Sequence, residues 1–388
     1  MVLAGCTYNA KNNGLLPTAE ESTDSVIEER LAPVQYVRVV PFIDVSKGMS
    51  GYYAGQSATQ FKVDVWGVLS SLNGKWDADS IMLLSEKNLR MVDIVSFRDN
   101  MNAGKLLYDD NTSIPQMING IVSQIDTTDG MVAVLISDMK YSPIGNKAPQ
   151  ALMAQYATDI SQIFSKKNLA VSLVCAVSDY KTKRQSCDKS PYYYLVIGNP
   201  RLVPLVRNEI VGILKSSDTY IEEVEKNVDY GDKILALHMK AKGVMPLDKD
   251  NFVYGGYDKK VTDTIAITIG LDLSPYPHFL WDKDTLTNYL SVDASGLAHC
   301  FISDVETSDN VALITVNVCK FKEKNQNITI FLSGYNPSMP RGIEQYYGAE
   351  REGDCAKTLS IDQFIRGITD QRNIQSSVKI TITTENKI

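Results

Sequence analysis

Residues 39–51 read Val39-Val40-Pro41-Phe42-Ile43-Asp44-Val45-Ser46-Lys47-Gly48-Met49-Ser50-Gly51, an apolar run that ends in an aspartate and passes into small hydroxyl and glycine residues. This pattern is typical of a buried strand that delivers a charged side chain into a turn. A second apolar run, over 131–136, ends the same way in Ser137-Asp138-Met139. Sites in open α/β sheets form beyond the carboxyl ends of the strands. The two aspartates therefore predict one divalent metal held between two parallel strands.

The segment from residue 36 to residue 217 alternates strand and helix patterns. Predicted strands cover 37–43, 91–97, 132–136, 169–177 and 192–197, and predicted helices cover 58–72, 114–125, 149–164 and 203–214. Strands that alternate with helices imply a mostly parallel sheet with helices on both faces. We therefore expect a doubly wound α/β domain over residues 36–217.

The polar residues at the two strand ends resemble those of von Willebrand factor A domains. Asp44-Val45-Ser46-Lys47-Gly48 is similar to the Asp-x-Ser-x-Ser motif of that family, and Ser137-Asp138-Met139 is similar to its Thr/Ser-Asp-Gly segment. The family places a threonine on a loop between these motifs, and Thr112, just before the predicted helix 114–125, is the best match. Over residues 36–217 the resemblance implies a metal-ion-dependent adhesion site formed by Asp44, Ser46, Thr112 and Asp138.

One position departs from the family motif, because Gly48 stands where a third hydroxyl ligand is expected. Either water or Ser50 takes its place, or the site binds metal more weakly. Hydroxyl and carboxylate oxygens suit Mg²⁺ best here, with Ca²⁺ and Mn²⁺ as alternatives. A cation with few carboxylate ligands accepts a further carboxylate from a protein or glycan partner. The competing interpretation of Asp44 alone is a helix N-cap or turn residue.

The whole chain has the composition of a soluble globular protein with room for two or three domains. It has 388 residues, of which 44% are hydrophobic and 22% charged. The formal net charge of −7 argues against a general role in binding nucleic acid. No apolar run in the sequence has the length needed to span a bilayer.

The N-terminal residues Leu3-Ala4-Gly5-Cys6 resemble a bacterial lipobox, in which a signal peptide is cut before a cysteine that then carries lipid. The polar residues that follow, up to residue 35, are typical of a flexible tether. Only five residues precede Cys6, so we expect a precursor that begins upstream. A misplaced start and a chance match are the alternatives. Lipidation of Cys6 predicts a membrane-anchored protein of the cell envelope, either periplasmic or surface-exposed.

The pattern changes after residue 217. Residues 218–231 are charged and predict a linker with a short helix, and residues 232–388 contain alternating strand-like runs that predict a mostly β, sandwich-like domain. One helix is predicted near 360–368. The cysteines other than Cys6 are odd in number, so at least one is free or paired outside the chain. Cys175 and Cys187 either pair in an oxidising compartment or are a buried thiol and an exposed one.

The leading functional hypothesis is a lipid-anchored, non-enzymatic binding protein that engages a protein or glycan through its metal. One alternative is a metal-dependent hydrolase or phosphatase, since an aspartate after a strand also resembles the nucleophile of the haloacid dehalogenase superfamily. That family needs a second aspartate two residues on, where Ser46 stands. Another alternative is a structural subunit of an envelope complex whose metal site has decayed.

Overall fold

The computed structural model describes residues 37–53, 55, 58–85, 88–106, 113–125, 130–141, 149–165, 167, 169–230, 234–241, 244–246, 251–254, 264–295, 299–319, 325–335, 340–348, 354–368 and 373–384. The predicted tether with Cys6 and the predicted ligand Thr112 lie outside these residues. The chain forms a mixed α/β protein with one large sheet and further, mainly antiparallel sheets.

The large sheet has seven strands in the spatial order β3-β2-β1-β4-β6-β5-β7. The strands are β1 Arg38–Asp44, β2 Ser80–Leu84, β3 Leu89–Asp93, β4 Met131–Ser137, β5 Ala170–Lys181, β6 Ser186–Gly198 and β7 Tyr220–Lys226. Strand β1 is parallel to both β2 and β4. The remaining neighbouring pairs in this sheet are antiparallel. The sheet is therefore mixed, which corrects the prediction of a mostly parallel sheet.

The antiparallel half of the sheet follows from a short connection. Strand β5 ends at Lys181 and β6 begins at Ser186, and the turn between them closes with a hydrogen bond from Thr182 N to Gln185 O at 2.8 Å. A parallel connection needs a crossover of a dozen or more residues, whereas an antiparallel hairpin needs only a few. The two strands must therefore run in opposite directions.

Helices cover both faces of this sheet and form a three-layer unit. Its helices are α1 Gln60–Trp76, α2 Ile94–Ala103, α3 Ile114–Gln124, α4 Pro149–Ser165 and α5 Val203–Ser216. Helices α1, α2 and α5 share one buried apolar cluster with one face of the sheet, and α3 and α4 share a second with the other face. The predicted strand over 91–97 is wrong beyond Asp93, because the Asp93 carboxylate accepts a hydrogen bond from Ser96 N and begins α2.

The second unit is a β-sandwich, in agreement with the predicted mostly β region. A five-stranded sheet of order β12-β15-β18-β10-β9 faces a four-stranded sheet of order β13-β14-β11-β8. Isoleucines such as Ile269, Ile330 and Ile380 alternate inward and fill the shared core. The elements are β8 Ala236–Ala241, β9 Val244–Pro246, β10 Asn251–Tyr254, β11 Ile265–Asp272, α6 Lys283–Tyr289, β12 Leu290–Ala294, β13 His299–Ser308, β14 Val311–Cys319, β15 Asn325–Tyr335, α7 Arg341–Glu344, β16 Tyr347–Gly348, β17 Thr358–Leu359, α8 Ile361–Ile368 and β18 Asn373–Thr384.

The predicted linker 218–231 contains strand β7, the edge strand beside β5, so this prediction is corrected. The sequence of β7 is charged, yet its glutamates Glu223 and Glu225 are buried. They can be buried because each forms an ion pair with the fully buried Arg207 of α5, at 3.1 and 2.9 Å. His278, from the sandwich unit, adds a ring nitrogen 2.7 Å from Glu223. These buried charges join the two units.

The predicted boundary at residue 232 is also corrected, because residues 340–348 and 354–368 lie against the first unit. Helix α8 packs its apolar face, which includes Phe364 and Ile365, into the same cluster as α3 and α4. A disulfide between Cys187 of β6 and Cys355 ties this segment to the large sheet. Cys175 is buried and free, so it does not pair with Cys187. No helix among the described residues has the length and apolarity needed to cross a membrane.

Candidate metal site at the ends of β1 and β4

The two predicted aspartates lie side by side at one edge of the large sheet. Asp44 is the last residue of β1 and Ser137 the last of β4, and the preceding residues Ile43 and Ile136 are direct partners in the parallel pair. Asp138 follows at once. The side chains of Asp44 and Asp138 are fully buried, and Ser46 is 1% exposed. The fold therefore brings three of the four predicted ligands to one region, and the fourth, Thr112, lies outside the described residues.

Hydrogen bonds fix Asp44 and leave two neighbouring oxygens unused. Asp44 Oδ1 accepts from Ser46 N and Asp44 Oδ2 accepts from Ser137 Oγ, both at 2.7 Å. Asp138 Oδ1 accepts from Lys140 N at 3.1 Å. In the described part of the chain, Asp138 Oδ2 is buried without a hydrogen-bond partner, and Ser46 Oγ is buried with no well-formed hydrogen bond, although its hydroxyl is close enough to Asp44 to lower the pKa of that carboxyl. A buried polar atom without a partner is costly, and a bound cation would satisfy both oxygens.

The electrostatics of the pair favour a positive ligand or a proton. Burial, followed by the nearby charge of Asp138, raises the pKa of Asp44 to about 7, although hydrogen bonds from Ser137 and Ser46 oppose the rise. Burial also raises the pKa of Asp138, and the charge of Lys140 opposes it. Two carboxylates in one buried place cannot both ionise without a compensating charge. A divalent ion would supply that charge.

Gly48 is explained by the position of Asp138. A Cβ atom added at Gly48 would lie 2.5 Å from Asp138 Oδ2, well inside van der Waals contact. The Asp138 carboxylate thus fills the space that a third hydroxyl side chain would need. Ser50 is the residue predicted to replace the missing hydroxyl ligand, but its hydroxyl hydrogen-bonds to Tyr180 instead. Burial raises the pKa of Tyr180, and this hydrogen bond from Ser50 lowers it. Among the described residues, the candidate site therefore consists of two carboxylates and one hydroxyl.

The turn after Asp138 is strained. Met139 is 1% exposed and has a φ of 54°, in the left-handed region that non-glycine residues adopt at a cost of about 1 kcal/mol or more. Hydrogen bonds from Met139 N to Ser137 Oγ and from Lys140 N to Asp138 Oδ1 hold this conformation. In this turn conformation, the Asp138 carboxylate lies beside Gly48.

The donor set fits a hard divalent cation with few protein ligands. Within the described ranges, no three or more histidine, cysteine, aspartate or glutamate side chains gather as a metal-binding group. Asp44, Asp138 and Ser46 offer oxygen atoms alone, which suit Mg²⁺, Mn²⁺ or Ca²⁺. Mg²⁺ commonly keeps several waters and takes only one or two carboxylates. The residues present are therefore compatible with such an ion, and the rest of its shell would be water or a ligand.

Three residues that the sequence does not predict as ligands cover this edge of the sheet. Met49 Sδ accepts from Asp138 N at 3.1 Å, Tyr180 OH donates to Gly48 O at 3.1 Å, and Thr358 Oγ1 donates to Asp138 O at 3.4 Å. Tyr180 and Thr358 come from distant parts of the chain. No local pattern reveals them, because only the folded sheet brings them to the aspartates.

Comparisons with known protein families, curated proteins and solved structures find no match to this chain. The geometry of the site and the residue resemblance therefore carry the functional argument.

Proposed function

We propose that this chain is a divalent-cation-dependent binding protein of the bacterial cell envelope, with a von Willebrand factor A-like unit built on the large sheet. Asp44, Ser46 and Asp138 hold the ion, most favourably Mg²⁺, and Thr112 completes the protein ligands. One observation carries the proposal: within the described ranges, Asp138 Oδ2 and Ser46 Oγ make no well-formed hydrogen bond and are buried beside a second buried carboxylate. A cation is the ligand that satisfies all three groups at once.

The proposed activity is adhesion rather than catalysis. The ion would supply a Lewis-acidic attachment point for a carboxylate on a protein or glycan partner. Asp44 has both oxygens engaged by hydrogen bonds from Ser46 and Ser137, so it is held as a ligand rather than freed as a nucleophile. The net charge of −7 favours cation binding over contact with nucleic acid.

The proposed location is outside the cytoplasm. Disulfides form and persist in oxidising compartments, and Cys187 is bonded to Cys355. This supports the proposal that Cys6 of the lipobox-like segment carries lipid and anchors the protein to a membrane. Several acyl chains together hold a protein firmly at a bilayer.

A structural subunit with a decayed site is the second candidate, and Gly48 favours it. The Asp138 carboxylate fills the space beside Gly48, and neither aspartate is exposed. In that case a proton shared by the two carboxyl groups would replace the metal. The two candidates differ in whether millimolar divalent metal stabilises the fold.

The test is thermal melting in Mg²⁺, Mn²⁺ or Ca²⁺ against chelator, on wild type, Asp44→Asn and Asp138→Asn. Ion at a hundred times its Kd should stabilise the wild type by about 2.7 kcal/mol through mass action. Both variants should lose this shift, whereas Asp188→Asn, at an exposed position of β6, should keep it. A wild type that melts at the same temperature in metal and in chelator, both when oxidised and after reduction of its disulfide, would favour the decayed site.

A pull-down from envelope extract then tests the binding activity itself. Immobilised wild type, tested both oxidised and after reduction of its disulfide, should retain a partner in Mg²⁺ in at least one redox state and release it in chelator, and Asp138→Asn should retain none in either buffer. Retention that ignores both chelator and Asp138→Asn would place the binding surface elsewhere on the protein.

A further inference from the structure

The candidate metal site is closed in this conformation. Asp44 and Asp138 are fully buried, so a partner's carboxylate cannot reach an ion held between them. A binding protein of the proposed kind therefore needs a cover that opens. The contacts around Asp138 identify part of that cover.

Residues 354–359, which we call the strap, lie against the candidate site. Thr358 Oγ1 donates to the carbonyl of Asp138 at 3.4 Å and accepts from Tyr193 OH at 3.2 Å. Ser190 Oγ donates to the carbonyl of Cys355. Lys140, two residues after Asp138, reaches the carbonyl of Asp354 at 3.5 Å. The strap thus contacts both the metal-site turn and the adjoining strand β6.

The Cys187–Cys355 disulfide is the covalent tie of the strap to the large sheet. Cys187 of β6 is the direct partner of Tyr180 on β5, and Tyr180 OH donates to the carbonyl of Gly48. The Tyr180 ring also packs on Gly51, where an added Cβ would lie 2.3 Å from the ring. The cover therefore has two parts, the strap beside Asp138 and Tyr180 beside Gly48. The disulfide connects them, because Cys355 lies in the strap and Cys187 is the cross-strand neighbour of Tyr180.

Without the disulfide, the strap is held by its hydrogen bonds to the site and to β6, and by the two-residue pairing of β17 with β16, in which Thr358 N donates to Tyr346 O at 2.8 Å. A typical hydrogen bond contributes only about 1 kcal/mol net, and the contact of Thr358 with Asp138 is long at 3.4 Å. Helix α8, which follows the strap, stays anchored because Ile361, Phe364 and Ile365 are buried. Loss of the disulfide should therefore release the strap locally and leave the core intact.

We propose that Cys187–Cys355 is a redox latch, whose reduction frees the strap and opens the Asp44–Asp138 edge to an ion and its ligand. This inference rests on the proposed function. Cys187 is half-buried and Cys355 is 5% exposed, so the reductant reaches Cys187 first. A thiolate of an external dithiol attacks Cys187 Sγ, and Cys355 leaves as a thiolate that takes a proton. The second thiol of the reductant then displaces Cys187, so the protein gains two thiols and the dithiol becomes a disulfide.

Hydrogen exchange measured by mass spectrometry tests the latch directly. Exchange is compared for the oxidised wild type, the dithiothreitol-reduced wild type and the variant Cys187→Ser/Cys355→Ser, all in chelator. Reduction and the double substitution should each speed exchange about ten-fold or more in 354–360, 44–51 and 137–141. Peptides from β14 and β15 should not change. Cys300→Ser, at a free cysteine, is the control and should match the oxidised wild type.

Mn²⁺ association, followed by electron paramagnetic resonance, separates the latch from the metal site. Faster uptake of Mn²⁺ after reduction supports both proposals. Unchanged exchange in 354–360 and 137–141 after complete reduction overturns the latch, whatever Mn²⁺ does. Faster exchange with no Mn²⁺ uptake in either redox state supports the latch as a cover of the carboxylates and overturns the proposed metal function. If the double variant fails to fold, the reduced wild type gives the same comparison.

Discussion

A substitution at Gly48 tests the geometry of the candidate site without any metal. In Gly48→Ala the new methyl group would lie 2.5 Å from Asp138 Oδ2, so the carboxylate has to move. Asp138 is fully buried, and its other oxygen accepts a hydrogen bond from Lys140 N. Overpacking of this kind costs typically about 1–3 kcal/mol. We therefore expect Gly48→Ala to lower the free energy of unfolding by about 2 kcal/mol.

The control is Gly74→Ala, because Gly74 lies inside α1 and an added Cβ there meets nothing within 4 Å. That substitution should stabilise the protein by up to about 1 kcal/mol through helix propensity. Urea unfolding at pH 7 in chelator measures all variants. The double variant Gly48→Ala/Asp138→Ala completes a cycle, and the coupling between the two sites should be about 1–3 kcal/mol.

Two results would show that the Asp138 carboxylate does not limit the side chain at position 48. If Gly48→Ala is as harmless as Gly74→Ala, then Asp138 does not occupy the space beside Gly48. If Gly48→Ala and Asp138→Ala are additive, the cost at Gly48 comes from something other than the carboxylate.

In chelator, stability should fall as the pH rises from about 4 to about 7, by a few kcal/mol at most, because folding keeps a proton on Asp44 that the unfolded chain has released. Asp44→Asn should flatten this part of a urea-denaturation pH profile, and an unchanged slope would place the titration elsewhere. Arg207→Met should cost about 3–5 kcal/mol because it leaves Glu223 and Glu225 buried without their counter-charge. Arg201→Met, in an exposed ion pair, should cost less than about 1 kcal/mol.

The helices and the strand ends could be predicted from the sequence because their signals are local. Residues 203–214 and 114–125 have apolar positions at helical spacing, and both form helices with nearly the same bounds. The apolar runs that end at Asp44 and Ser137 form the two neighbouring strands. Their placement on one edge follows from the parallel pairing that alternating strands and helices predict.

The direction of β6 was missed although the sequence held a signal for it. The predicted strands 169–177 and 192–197 have only a polar loop between them, and a loop without a helix joins antiparallel strands. Strand β7 could not be found this way, because Glu223 and Glu225 look solvent-exposed until Arg207 is placed beside them. Residues 218–231 are therefore interpreted as a linker from the sequence, because the arginine that neutralises their buried glutamates lies on helix α5.

The covering contacts and the disulfide could not be predicted at all. Cys187 and Cys355 are separated by 168 residues, and sequence alone does not fix which cysteines pair. The role of Gly48 was also hidden. As a sequence position it looks like a lost ligand, whereas in the structure it makes room for Asp138.

Anomalous diffraction from crystals grown in Mn²⁺ would locate a divalent ion at the candidate site. A bound ion should give one anomalous peak between the ends of β1 and β4, at about 2.0–2.4 Å from oxygens of Asp44 or Asp138 and from Ser46 Oγ. The same peak should be absent from crystals of Asp44→Asn. Wild-type crystals of the reduced protein that show no Mn²⁺ between these strands would contradict the proposed metal site.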